Sequence, residues 1–312
     1  MSWVPVVDIS DPPAAVEAVN SACERVGFLT ITGHGVPADV VDAAWDSARS
    51  FFDLPLVEKM NVAMPRPGYP YGYSPMSGES LAASLGNLGH PDLKESFAIG
   101  PVDRATHEMV DPDEAFAWSP NIWPTGLAGF RETWEEYFRS LSDLAARLLR
   151  IMATALDLPE QHFDPMISRH TSAMRALNYP VPDSVQPGQL GAGAHTDYGT
   201  LTVLLADPVQ GGLQVQGTDG SWHDVHPEEG SFVVNLGDAI ARWTNDRWRS
   251  TMHRVQVPQG RRQSIAFFHN ANWDAVIECV PSCMRPGEAP RYDPIAAGPH
   301  LMQKFQSTVN RY

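Results

Sequence analysis

The chain has 312 residues, 37 Asp and Glu against 22 Lys and Arg, and a formal net charge of −15. That balance excludes a sequence-independent nucleic-acid binder, which needs clustered cations for phosphates, and disfavours docking on anionic membranes. With 19% charged and 9% aromatic residues the composition is that of a folded chain, and three cysteines, Cys23, Cys279 and Cys283, are too few for a disulfide framework.

The first residues, "MSWVPVVDIS", lack a basic region followed by an apolar core, and no apolar run is long enough to span a bilayer. A cytoplasmic protein is expected. "VPVVDIS" alternates like a short strand. Asp11 and Pro12 read as N-cap and N1; Val16, Val19, Cys23 and Val26 follow at helical spacing, and Gly27 ends the run. "GFLTITGHGVP" is strand-like. A second helix is predicted over 38–52, then a loop rich in Pro, Gly and Tyr, "MPRPGYPYGYSP". The longest helix begins near Gly126, with Leu127, Phe130, Trp134, Phe138, Leu141, Ala145 and Leu148 on one apolar stripe. After residue 170 the pattern changes to short strands between turns, "AMRALNYP", "TLTVLLA", "GGLQVQ", "WHDVHP", "GSFVVNLGD", "MHRVQVP" and "RQSIAFFHN". This rhythm suggests an antiparallel barrel or sandwich. The expected organisation is a mostly helical portion, 1–170, packed on a β-core, 171–312.

The chemistry concentrates in "GAGAHTDYGTLTVLL". On extended backbone His195 and Asp197 point the same way and can meet one point. His253, in "STMHRVQVP", offers a second imidazole. Two imidazoles and one carboxylate form the facial triad of non-haem Fe(II) oxygenases, which leaves coordination positions open for a chelating 2-oxo acid and O2. "TLTVLL" is read as the strand that holds both ligands. Downstream, Arg262 and Ser264 are again two apart. A guanidinium grips a carboxylate by a planar pair of hydrogen bonds, and a serine hydroxyl adds another. Tyr179 offers a third. Strand parity puts Arg261 on the opposite face, and Ala266 and Phe268 on the same face as Arg262. The remaining histidines, His34, His223, His226 and His269 among them, read as packed or solvated residues. "GAGAHTD" lacks the Lys-Ser/Thr of a phosphate loop, and no Gly-x-Ser-x-Gly marks a serine hydrolase.

Together these segments resemble the isopenicillin N synthase-like family of Fe(II)/2-oxoglutarate-dependent oxygenases, over almost the whole chain. "VPVVDIS" and "GFLTITGHGVP" are similar to its N-terminal signatures; "FFDLPLVEKM", "GYSPMSGES" and "DLKESFAIG" to its middle region; "HTDYGTLTVLL", "VVNLGDAIARWTND", "STMHRV" and "RQSIAFFHNANWDAVIECVPSC" to its C-terminal core. The resemblance implies a double-stranded β-helix (jelly-roll), iron held by His195, Asp197 and His253, and 2-oxoglutarate anchored by Arg262, Ser264 and Tyr179. Leu177 stands where plant members often carry Asn. The implied reaction is hydroxylation, desaturation or cyclisation of a small-molecule metabolite with release of succinate and CO2. An oxidase that needs no 2-oxoglutarate, an ethylene-forming fragmentation of 2-oxoglutarate and a non-catalytic sensor are the alternatives. Tyr71, Tyr73, Tyr198 and Phe268 are expected to line the substrate pocket. The oligomeric state is not readable from the sequence.

Overall fold

A computed structural model describes residues 3–309 apart from 67, 77, 79, 82–89, 104 and 106. Ser77 and Glu79 of "GYSPMSGES" lie outside the described residues. The large sheet has eight strands. In order across it they are β1 (Val6–Asp8), β2 (Phe28–Thr32), β10 (Phe232–Leu236), β7 (Leu201–Ala206), β12 (Arg262–His269), β5 (Ala173–Tyr179), β4 (Glu95–Ile99) and β3 (Gly72–Ser74). A second sheet runs β6 (Ala192–His195), β11 (His253–Val255), β8 (Leu213–Gln216) and β9 (Trp222–Asp224). The two make the double-stranded β-helix that the family resemblance implies. In a pleated strand alternate residues serve opposite faces, and both faces of the large sheet are covered. Leu177, Tyr179, Ala266 and Val233 face inward and pack with Leu213, Val215 and Val255 of the second sheet. Ala176, Met174, Phe267 and Ile265 face outward, against helices.

The outer layer is built on α5 (Phe130–Ala155), whose buried stripe includes Phe130, Trp134, Phe138, Leu141, Ala145 and Leu148. Fully burying a side chain of this kind is worth about 1.5–3 kcal/mol, so this helix ties the sheet to α1 (Pro12–Arg25) and α2 (Ala38–Phe52), which pack on it. α1 begins as read from sequence, with the Asp11 carboxylate accepting from the Ala14 amide. Gly27 follows it at φ +69°, where an added Cβ would lie 2.1 Å from the Arg249 carbonyl oxygen. Short helices complete the chain: α3 (Leu56–Met60), α4 (Pro112–Ala117), α6 (Asp164–Ile167), α7 (Asp238–Trp243) and α8 (Ala297–Val309).

Residue 170 marks a change of pattern along the chain. In space the two portions share one sheet, because β1 to β4 precede it and occupy both flanks of the large sheet. A small ribbon, β13 (Val276–Ile277) with β14 (Ile295–Ala296), leads into α8. No helix among the described residues is long and apolar enough to cross a membrane.

Candidate active site

β6 ends at His195 and β11 begins at His253, and the two residues are partners in the antiparallel register. The pairing sets the imidazoles side by side, ring centroids 4.3 Å apart. Asp197 stands two residues beyond β6, in the loop before β7. The ligand pair therefore belongs to the end of β6 and this loop. The strand within "TLTVLL", expected to hold both, starts only at Leu201, beyond both ligands, and instead carries Thr202, which bonds Asp197. The loop is pinned by backbone: the Asp238 amide donates to the Asp197 carbonyl at 2.8 Å and the Gly237 amide to that of Thr200 at 2.9 Å. Gly237 packs so closely that a Cβ there would sit 2.2 Å from the Gly199 carbonyl oxygen.

One ligand atom from each of His195, Asp197 and His253 lies within 4.8 Å of the others. The His195 Nε2 to Asp197 Oδ1 and His253 Nε2 to Asp197 Oδ2 separations are both 3.9 Å. That is too long for a hydrogen bond and suits donors arranged around one ion. The outer nitrogens support the same reading. His195 Nδ1 meets the Gly193 carbonyl at 2.7 Å and His253 Nδ1 that of Thr251 at 3.1 Å. A carbonyl needs an N–H, so each Nε2 keeps its lone pair for a metal. Burial and the neighbouring His253 push His195 down to about 4, so it stays neutral at physiological pH. Burial alone would raise the Asp197 carboxyl; His253, His195, Asn235 and Thr202 hold it below its ordinary value. Two hydroxyl or amide donors, Thr202 Oγ1 at 2.5 Å and Asn235 Nδ2 at 2.7 Å, occupy Asp197 Oδ2 and leave Oδ1 to the centre. This donor set fits Fe(II).

Down the barrel, Arg262 is 1% exposed. Its Nε donates to the Gly211 carbonyl at 2.8 Å and its Nη1 to Ser264 Oγ at 3.2 Å. Its guanidinium lies 4.8 Å from the Tyr179 ring centroid. Register explains the grouping: Arg262 pairs with Tyr179 and Ser264 with Leu177 across β12 and β5. Among the described residues no carboxylate partners this buried cation, and a charge so buried needs an anion. Ser264 and Tyr179 stand beside the guanidinium, so a carboxylate entering here would meet all three side chains. Arg261 and Asn178 sit on the outer face, bonded to each other at 2.9 Å, with Asn178 also on Glu95.

The expected pocket aromatics divide. Phe268 faces inward and is half-buried, and Tyr198 follows Asp197 in the ligand loop. Tyr73 is a correction. It pairs with Phe97 on the helix-facing side of the sheet, packs on Phe51, and donates its hydroxyl to Glu95 at 2.5 Å beside Lys59. The parity of β3 turns it away from the metal. Tyr71 is buried at 4% exposure with its hydroxyl committed to the Ala117 carbonyl.

Several residues escaped the sequence. Asn235 and Thr202 are adjacent partners across β10 and β7; inward parity within "SFVVNL" and "TLTVLL" could have found them. Arg175 pairs with Ala266 and Ala98, on the inward face two positions before Leu177. Lys94 bonds Asp92 at 2.7 Å, and Asp92 accepts the Gly193 amide at 2.9 Å, next to the carbonyl that orients His195. Only three-dimensional pairing reveals that relay.

Residues 171–271 match the model of the 2OG-Fe(II) oxygenase superfamily, and residues 4–126 match that of the non-haem dioxygenase in morphine synthesis N-terminal region. The 2-oxoglutarate-Fe(II) type oxidoreductase hxnY of Emericella nidulans is 37% identical over 95% of this chain and 85% of its own length. Homoarginine-6-hydroxylase 2-ODD-C23.1 of Arabidopsis thaliana is 33% identical over 97% of both chains. A full-length Neurospora crassa protein, crystallised in complex with alpha-KG and thymine, superposes with a TM-score of 0.85, at 30% identity, over 97% of this chain and 96% of that one.

Proposed function

This chain belongs to the 2OG-Fe(II) oxygenase superfamily, and from that membership we propose a division of labour among its residues and a substrate class. It is a Fe(II)- and 2-oxoglutarate-dependent oxygenase acting with O2. His195, Asp197 and His253 are the iron ligands. Arg262, Ser264 and Tyr179 take the distal carboxylate of 2-oxoglutarate. The observation that carries the second assignment is the buried Arg262 guanidinium without a carboxylate partner among the described residues.

When bound, Fe(II) with 2-oxoglutarate and O2 supplies the oxidising power for hydroxylation, desaturation or ring closure, with succinate and CO2 released. The protein's part is positional. The Gly193 and Thr251 carbonyls hold both imidazoles as Nε2 donors. Asn235 and Thr202 hold Asp197 to one free oxygen. Leu204, Leu213 and Val215 make the inner wall apolar, which keeps bulk water from the reacting centre.

The substrate is a small metabolite with an apolar body against Phe268 and a polar or anionic group within reach of Arg175, whose strand position puts it on the inner wall. Tyr198 is the second aromatic of that wall. In support, the Neurospora crassa relative has been crystallised with thymine, a small ligand of apolar and polar parts. The test is a metabolite library incubated with enzyme, Fe(II) and 2-oxoglutarate. Substrate-stimulated succinate with a product heavier by one oxygen is expected. Stimulation only by fully apolar compounds would sink the role of Arg175.

A further inference from the structure

A second cavity of about 420 Å³ lies behind the iron loop, between α7, residues 246–250 and α8. Thr196 lines it; the flanking His195 and Asp197 point to the other side, toward the metal position. Its volume is in the range of small-molecule sites.

The lining charges are not balanced within the wall. Asp238 is paired with Lys304 at 2.7 Å and Asp246 with Arg291 at 3.1 Å. Among the described residues Arg242 reaches only the Asp293 carbonyl and the face of Tyr292, and its buried Nε has no partner there. The Arg249 guanidinium has no hydrogen-bond or carboxylate partner among the described residues. Between them stands His300, 5% exposed. Its ring bonds the backbone of Tyr198, while its buried Nε2 has no partner among the described residues. An imidazole that donates from Nδ1 to a carbonyl carries a lone pair on Nε2. The cavity thus offers two cations and one bare acceptor. Burial and the nearby Arg242 hold His300 down to about 4, so that acceptor persists at neutral pH.

We propose that this cavity binds a small oxyanion that retains one O–H, hydrogenphosphate or a 2-hydroxycarboxylate. The oxyanion oxygens meet Arg242 and Arg249, and the O–H donates to His300 Nε2. Asp238 connects the site to the iron loop: it accepts from Ser250 Oγ at 2.6 Å, on the segment that leads into His253, and its amide holds Asp197.

The test is calorimetric titration of the Fe(II)- and 2-oxoglutarate-loaded protein, anaerobic and at pH 8. The probes are inorganic phosphate, sulfate, glycolate and acetate. Phosphate should bind at one site about tenfold more tightly than sulfate, or glycolate than acetate, because a buried acceptor left unmet is costly; whichever pair shows the preference identifies the source. Arg249→Gln should weaken binding about tenfold, and His300→Phe should erase the preference, with 2-oxoglutarate turnover retained in both. Absence of saturable binding to the unmodified protein, equal affinity within both pairs, or binding indifferent to both substitutions would overturn the proposal. The first two outcomes need no variant to fold.

Discussion

Asn235 donates to Asp197 Oδ2 at 2.7 Å from the strand beside Thr202, which donates to the same oxygen. The carboxylate is thereby held with Oδ1 free. Replacing such a supporting donor costs roughly 10–100-fold in metal affinity. Asn235→Leu is expected to raise the Fe(II) concentration for half-maximal turnover by that factor, with circular dichroism unchanged. An unaltered iron titration would show that Asp197 needs no such support.

Arg262 and Arg261 are neighbours with opposite duties. A hydrogen bond to a charged group is worth about 1.5–3 kcal/mol, and Arg262 has more than one to give. Arg262→Gln should raise the KM for 2-oxoglutarate about 100-fold, while Arg261→Gln, which loses contacts to Asn178 and Asp53, should leave that KM in place and lower Tm. Equal effects on KM would contradict the inward and outward parity.

Tyr73 and Phe268 separate stability from substrate binding. Tyr73→Phe removes a buried hydrogen bond to Glu95, worth about 1–3 kcal/mol, and should lower the denaturation midpoint without changing the KM of the primary substrate. Phe268→Ala should do the reverse. A raised KM in Tyr73→Phe would put that ring back in the pocket.

Burial lowers His170 to about 4 from an ordinary 6.5. Its ring packs against Phe138, Phe267 and His269. The folded-state value is depressed, so the unfolded chain takes up this proton first. The contribution is complete above pH 6.5 and is lost as pH falls from 6.5 toward 4. At about 1.4 kcal/mol per unit of depression, urea midpoints of the metal-free protein should fall measurably across that window. His170→Phe should flatten the fall; a slope identical to that of the unmodified protein would assign it to other groups.

Gly237→Ala should be severe for its size. The new methyl would meet the Gly199 carbonyl oxygen at 2.2 Å, and the loop carrying Asp197 must shift. Loss of the anaerobic iron–2-oxoglutarate absorption band at ordinary Fe(II) concentrations is expected; Gly126→Ala, with open space around it and no left-handed backbone to strain, should retain the band.

Arg262 and Ser264 were legible because period-two alternation along β12 puts them on one face, His195 and Asp197 were legible as a close pair although Asp197 lies in the loop beyond β6, and α1 and the α5 stripe follow from capping and periodicity. What stayed hidden depends on register between distant strands. Nothing local says that Asn235 meets Thr202, or that Asp92 reaches Gly193. Tyr73 was misplaced because β3 is three residues long, and so short a strand has no readable alternation. α7 is six residues, too brief for a helical stripe.

The large sheet closes on strands from opposite ends of the chain: β2 lies against β10 and β4 against β5. A fragment beginning at residue 171 would leave the backbone groups of β10 and β5 open along two flanks, a template for intermolecular pairing. Nor can a nascent chain hide β2 until β10 has emerged, so folding is tied to late synthesis. His253 emerges later still. A chain that stops anywhere before His253 lacks one iron ligand and also β12, the strand that joins β7 to β5 in the large sheet.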